Sequence, residues 1–548
     1  MHTALVRAQQ AAHDAIMLAR LTRDLPAFLR APISLADAET QVRRHLETRA
    51  TRLLGVAERH IYAHAGSPYR VLLRHAGCEL GDFATLLRAD GVEGTMQALA
   101  TQGVYVTFDE MKGRREVVRG SLRVTFSASA FDNPTVPAHF AMYTGGSRGV
   151  PSLVGRSLPY IAEKAASRAV GYAAHGMYGA GHVFWRTGPI GQMLTSAAIG
   201  MPTRGWFYPL EPLAPRVRWG GLYLRGMGRM TGYPIPRPRY VPLEQPGRLM
   251  RFLARLLRTG ERIVLSAPTS AAVRVAIAAQ QAGVSLHGVT INGQSEPMSP
   301  ARRAHLEAVG ANVITNYGTV ESSSIGYGCA AGRSADDVHF FDDGFAAVTR
   351  PRAVLADGPS IDALLLTSLS PLVQKIFFNS ETGDFATLER RDCDCSMGAL
   401  GLRTHLSDIR SFEKLTGEGM TVVRSDLFRI LEEVLPARFG GSGLDYQVLE
   451  YEGAGAATRV ALRVHPSVGP LDVDAVRAAF LAEISRASFI DAYMAQVWER
   501  MGTVAIVREP PIATGAGKVL PFHLVTRDAD TWHQRRLPSG CAGGGVRC

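Results

Sequence analysis

Apolar and polar positions between residues 262 and 318 switch repeatedly between two rhythms. IVLSAP (263–268) is a continuous apolar run, and TSAAVRVAIAAQQAG (269–283) repeats its apolar residues every three or four positions. VSLHGVTIN (284–292) is strand-like again, SPARRAHLEAVG (299–310) is helical, and ANVITNYG (311–318) returns to a strand. Ser299 as N-cap, Pro300 at the first helical position and Gly310 past the end bracket the second helix. Strands alternating with helices predict a parallel sheet covered on both faces, and such sheets take ligands at the carboxyl ends of their strands.

The flanking regions read differently. Residues 1–95 are mostly helical by period, with QVRRHLETRATRLL (41–54) a clear stretch. GVYVTF (103–108), SLRVTFSAS (121–129) and HFAMYT (139–144) have strand character. After about residue 412 the pattern becomes α+β: strands at DYQVLEYE (445–452), TRVALRVHP (458–466) and TVAIVREPP (503–511), with a helix over 471–487. The expected fold is therefore α/β: a large multi-layer N-terminal domain of mostly parallel sheets covered by helices, plus a small α+β C-terminal domain. The expected boundaries are 1–95 for a helical N-terminal region of the large domain and 96–412 for the rest of it. Residues 413–531 form the C-terminal domain, and 532–548 a glycine-rich tail expected to be disordered.

Composition adds limits. With 46% hydrophobic and 20% charged residues, the chain is ordinary for a globular protein. No uninterrupted apolar stretch is long enough to span a membrane, and the N-terminus reads as a helix rather than a leader, so cytoplasm is the expected location. The net charge of +11 invites a nucleic-acid reading, but the positive charge is nearly all arginine scattered along the chain, and no nucleic-acid partner is expected. Lysine is rare: Lys112, Lys164, Lys375, Lys414 and Lys518 are the complete set. Six cysteines in 548 residues are too few for a disulfide scaffold and point to free thiols or a metal site.

The densest chemistry lies at Thr144-Gly145-Gly146-Ser147-Arg148-Gly149-Val150-Pro151. Its G-x-S-x-G core fits the elbow of a serine hydrolase with Ser147 as nucleophile, yet Val150-Pro151 is an awkward helix start and no later histidine has an obvious catalytic setting. It lacks the Gly-Lys-Ser/Thr of a Walker loop and the G-x-G-x-x-G of dinucleotide sites. Backbone N–H groups, the Thr144 and Ser147 hydroxyls and the Arg148 cation could instead wrap a phosphate. A plain surface turn is the remaining reading.

In order along the chain, this loop resembles the T-S-G-T-T-G-x-P loop of the adenylate-forming superfamily of acyl-CoA synthetases, luciferases and peptide-synthetase adenylation domains. Gln294-Ser295-Glu296-Pro297-Met298 resembles G-G-E-P-L, and Tyr317-Gly318-Thr319-Val320-Glu321, preceded by Asn316, resembles Y-G-x-T-E. Thr382-Gly383-Asp384 matches T-G-D, Arg410 and Gly419 match the arginine and glycine of a hinge motif, and Pro511 to Lys518 matches P-x-T-x-x-G-K.

The resemblance implies activation of a small carboxylic acid by ATP to an acyl-AMP, followed by transfer to a thiol, that of CoA or of a carrier protein's phosphopantetheine. An amine acceptor is the nearest variant. It implies ATP contacts from Thr144, Gly145, Gly146, Ser147, Arg148, Gly149, Ser295, Glu296, Pro297, Asn316, Tyr317, Gly318, Thr319, Asp384 and Arg410. Catalytic roles fall to Lys518, Glu321 and Arg410, with Mg2+ on Glu321 and rotation of the C-terminal domain about residues 410–413. The sequence departs from the pattern at Val320, Glu381 and Phe412. It looks closest to the phenylacetate:CoA ligase-like branch, some members of which carry zinc; Cys329, His339, Cys393 and Cys395 are the corresponding structural Zn2+ ligands, although C-x-C is not a usual finger pair. Oligomeric state and the acid itself are not legible.

Overall fold

The computed structural model describes residues 2–143, 153–209, 215–243, 245–295, 298–353, 360–411, 416–417, 420–421, 427–452, 458–486, 495, 498–499, 502–513, 519 and 521–524. The loop at 144–152 and the tail at 532–548 lie outside them.

The protein is a mixed α/β structure built on one twelve-stranded sheet. In chain order its strands are β1 (Gly181–Trp185), β2 (Thr203–Tyr208), β3 (Pro238–Tyr240), β4 (Ile263–Pro268), β5 (Val289–Gln294) and β6 (Asn312–Thr319), followed by β7 (Ser323–Gly328), β8 (Val338–Phe340), β9 (Phe345–Ala353), β10 (Ser360–Ser368), β11 (Ser380–Arg390) and β12 (Thr404–Ser411). Across the sheet they lie in the order β9-β10-β11-β12-β8-β7-β6-β5-β4-β1-β2-β3. From β6 to β3 every pairing is parallel, which includes the three strands read from the rhythm of residues 262–318. From β6 the other way every pairing is antiparallel.

Every residue of β1, β4 and β5 is buried, as a strand covered on both faces requires. One cover is the helix Thr269–Gln281, whose Ala271, Ala272, Val275, Ala276 and Ala279 allow close approach to the sheet. The next helix, Pro300–Glu307, is capped by Ser299, whose Oγ accepts from the Arg302 N–H. The N-terminal helices, among them Leu80–Thr101, share a core with the antiparallel half through Phe83, Leu99, Phe345, Leu364 and Phe378. Among the described residues no helix is long and apolar enough to cross a membrane.

One expectation is corrected. GVYVTF is not a strand: it contributes an isolated bridge between Val106 and Ser380, and Thr107 then caps the short helix Phe108–Met111. The Thr107 hydroxyl accepts from the Glu110 N–H and Glu110 reaches back to the Thr107 N–H, a reciprocal pair that ends the extended run. That turn brings Lys112 beside the large sheet.

Beyond residue 426 a separate four-stranded sheet has its own apolar core, with Tyr446, Val448, Leu462, Phe480 and Ile484 fully buried. It meets the large sheet's helices through a buried ion pair between Arg302 and Glu432 at 2.5 Å and through Leu444, which joins the core beneath the parallel strands.

Candidate functional site

The carboxyl ends of β1, β5 and β6 open on one side of the sheet, and the motif residues that the structure describes gather there. At the end of β6 a bulge falls between Tyr317 and Gly318. Gly318 has to be glycine, because a Cβ there would lie 2.2 Å from the Ser323 carbonyl oxygen. The chain then turns back: the Ser322 N–H donates to Thr319 Oγ1 (3.1 Å) and the Thr319 N–H to Ser322 Oγ (3.2 Å). This turn presents Glu321. Tyr317 donates its hydroxyl to Asp384 Oδ2 at 3.0 Å, tying β6 to the T-G-D segment on β11. Asn316 accepts from Ser324 Oγ at 2.6 Å. Ser295, just after β5, has a φ of 67°, a left-handed conformation unusual for a side-chain-bearing residue.

Around Glu321 the structure assembles positive charge. Lys112 Nζ donates to Glu321 Oε1 at 2.6 Å, and the two side chains are only 9% and 10% exposed. Burial pushes the Glu321 carboxyl up, but Lys112 and Lys375 outweigh it and hold the group below its ordinary pKa. Arg156, 5% exposed, feels the same carboxylate, yet its Nη1 has no hydrogen-bond partner among the described residues. Burial holds its guanidinium below the usual value, and Arg168 repels it. Arg168 donates to Ser324 Oγ at 2.7 Å, and Lys375 is anchored by Asp132 at 2.6 Å. At the mouth of β1, Arg186 bonds the Gln294 side-chain oxygen, and burial with repulsion from Arg168 lowers it to about 10. Several buried cations therefore face one carboxylate, the arrangement of a site that receives an anion.

Lys112, Arg156, Arg168 and Arg186 belong to none of the sequence motifs. The rarity of lysine singles out Lys112, whereas nothing local marks the arginines. Of the residues the resemblance implies, Thr144, Gly145, Gly146, Ser147, Arg148, Gly149, Glu296, Pro297 and Lys518 lie outside the described residues, and Arg410 is described only as backbone within β12. The residue after Lys518 is placed: the Val519 N–H donates to Ser270 Oγ at 3.4 Å, just beyond the carboxyl end of β4. The departure at Glu381 has a structural account, since this fully buried carboxylate pairs with Arg350 (2.8 Å) and Arg352 (2.6 Å).

Across the sheet, Cys329, His339, Cys393 and Cys395 converge, with one ligand atom from each lying within 4.8 Å of all the others. His339 is fully buried on β8; its Nδ1 faces the Leu402 carbonyl at 3.0 Å, which turns Nε2 toward Cys395 Sγ, also at 3.0 Å. Cys329 and Cys393 sulfurs are 3.3 Å apart. Four ligands at Zn–S distances of about 2.3 Å around a tetrahedron sit about 3.8 Å from one another, so the donor set fits Zn2+ in type and spacing. The short contacts from Cys329 and His339 hold the Cys395 thiol below its ordinary pKa, while the same contact with Cys395 and burial push Cys329 up, so the pair shares a single readily lost proton. Gly398 permits the tight turn that follows, where a Cβ would lie 2.2 Å from the Cys393 carbonyl oxygen. Cys329 also approaches Asp337 and His405, but Asp337 is engaged by His405 at 2.8 Å and by Arg391.

No family model and no curated protein sequence matches the chain. Among solved structures it is similar to ATP-bound MatB from Rhodopseudomonas palustris, at 12% identity over 78% of this chain and 71% of that one, with a TM-score of 0.43. It is similar also to the anthranilate CoA ligase AuaEII in complex with anthranoyl-AMP (11% identity, 69% and 65% covered, TM-score 0.42). A third is the acetoacetyl-CoA synthetase from Streptomyces lividans (15% identity, 74% and 56% covered, TM-score 0.41).

Proposed function

We propose that this chain is an adenylate-forming ligase that activates a carboxylic acid with ATP and passes the acyl group to a thiol. The observation that carries the reading is the set of buried cations at the carboxyl ends of β1 and β6, with an Arg156 Nη1 that has no partner among the described residues, next to the Tyr317–Asp384 pair. In the first half-reaction a carboxylate oxygen bonds to the α-phosphorus, and the bond from that phosphorus to the oxygen bridging to the β-phosphate breaks; pyrophosphate leaves with the electron pair. Both reactants are anions, so fixed positive charge and in-line positioning are what the protein supplies.

Asp384, an acceptor, suits ribose hydroxyls. The 144–149 loop would hold the departing phosphates, and Lys518 would bridge the acid and the α-phosphate. The contact of Val519 with Ser270 supports placing that lysine's segment at the strand ends. Arg410 would serve at the hinge between the large part and the C-terminal domain, taken as 96–412 and 413–531. Mg2+ would enter with the nucleotide. A structural Zn2+ held by Cys329, His339, Cys393 and Cys395 would tie β7 and β8 to the segment after β11, and favours the phenylacetate:CoA ligase-like branch. The thiol would belong to CoA or to a carrier protein.

Pyrophosphate exchange into ATP, screened over aryl, fatty and amino acids, tests this. Some acid should stimulate exchange, and Lys518→Ala should remove at least 90% of it without changing the circular dichroism spectrum. Exchange with no acid, or exchange indifferent to Lys518, overturns the reading. Labelling by a fluorophosphonate that disappears in Ser147→Ala would point to a serine hydrolase instead.

A further inference from the structure

Glu321 is the position where the resemblance places a divalent cation, and its surroundings do not fit one. Mg2+ seeks oxygen ligands and keeps several waters. Among the described residues the charged groups around Glu321 are the Lys112 ammonium at 2.6 Å, the Arg156 guanidinium and Lys375, none of which can ligate a cation. Lys112 is not a mobile surface lysine that happens to reach inward. It is the C-cap of the helix Phe108–Met111, which is fixed by the Thr107–Glu110 reciprocal cap, and Glu110 is itself held by Arg119 at 3.0 Å. The Val106–Ser380 bridge sets that segment beside β11. A divalent cation at Glu321 would first have to displace the buried Lys112 ammonium.

We propose that Lys112 takes the place of a divalent cation at Glu321, so that anionic charge arriving there is neutralised by fixed ammonium and guanidinium groups of Lys112 and Arg156. Any metal that enters with a nucleotide is then not ligated by Glu321. The nucleotide half of this statement rests on the ligase reading; the absence of a cation site at Glu321 does not.

Mn2+ binding to the full chain, read by electron paramagnetic resonance with and without a non-hydrolysable ATP analogue, tests it. In the wild-type background Glu321→Gln should change the Mn2+ affinity less than threefold under both conditions. Lys112→Met frees the carboxylate and should gain one Mn2+ site, which Lys112→Met/Glu321→Gln should lose. If either single variant fails to fold, the double variant, which removes both charges, carries the comparison and should bind Mn2+ as the wild type does. A threefold or greater loss on removing Glu321 from the wild type, or a folded Lys112→Met that gains no site, overturns the proposal. Failure of the analogue to bind at all would count against the ligase reading alone, since the arm without nucleotide still decides the role of Lys112.

Discussion

Arg156→Met should make the protein more stable and a worse binder of nucleotide. Arg156 is 5% exposed on the strand Leu153–Arg156, and its Nη1 is buried without a partner among the described residues. An unsatisfied buried donor costs about 1–3 kcal/mol, and burial already depresses the guanidinium's pKa. Methionine removes that cost and the repulsion from Arg168. It forfeits the attraction to Glu321, which keeps Lys112 as its partner. The ligand-free protein should therefore gain about 1–3 kcal/mol, visible as a higher Tm. Binding goes the other way. A charge-assisted hydrogen bond to a phosphate is worth about 1.5–3 kcal/mol, so calorimetric titration with a non-hydrolysable ATP analogue should show affinity about 10- to 150-fold weaker. A lower Tm with unchanged affinity would mean that Arg156 is a structural residue and that the cations do not form an anion site.

Three other perturbations separate the remaining claims. Metal analysis of purified protein should find about one zinc per chain, lost with a fall in Tm in Cys393→Ser/Cys395→Ser; a metal-free protein with unchanged Tm would refute the site. Glu432→Gln breaks the buried pair with Arg302, 5% exposed, and should cost about 3–5 kcal/mol, loosening the packing of the Leu427–Val434 segment on the helix Pro300–Glu307; hydrogen exchange at both segments reads this, and unchanged protection would contradict it. His182 is held neutral between Ser196 and Ser266 at 2.7 Å each, and burial lowers its pKa from 6.5 to about 3. Because the unfolded chain takes up the proton first, this stabilisation is complete above pH 6.5 and declines by about 1.4 kcal/mol per pH unit as pH falls toward 3. His182→Asn should flatten the acid limb of stability measured against pH, and an unchanged slope would refute the assignment.

The parallel half of the sheet was legible because each of its elements carries a local signal. IVLSAP and TSAAVRVAIAAQQAG differ in period, and Ser299-Pro300 announces a helix within two residues, so β4 and β6 emerge close to their observed bounds, whereas β5 starts only at Val289, well inside the 284–292 run. GVYVTF misleads for the converse reason. Its apolar alternation is that of a strand, but Thr107 and Glu110 stand three apart and close a capping box that overrides it. The antiparallel half carries no such local signal, since β8 is three residues long and owes its place to β12, whose His405 lies opposite His339 across three intervening strands of sequence. The cysteine–histidine cluster lies between these cases: its members were nameable only through the resemblance, because Cys329 and Cys393 are 64 residues apart and no spacing rule joins them.

The site itself divides along the same line. Glycines, hydroxyls and a lysine in short fixed runs can be recognised locally, and they supplied the motif residues. The charges that set the site's electrostatics cannot: Lys112 is 209 residues from Glu321, and Arg168 is 156 from Ser324. In a chain so rich in arginine, no single one stands out. Yet these distant groups decide what the local motifs can do. Glu321 in isolation reads as a ligand for a cation; Glu321 against Lys112, with Arg156 behind it, is a counter-ion that lets buried positive charge persist until an anion arrives. Glu381 follows the same logic on β11, where Arg350 and Arg352 neutralise a fully buried carboxylate at a position that departs from the motif. In both places the sign of the local charge is inverted by residues remote in sequence, so departures from a motif are interpretable only together with the partners the fold brings to them.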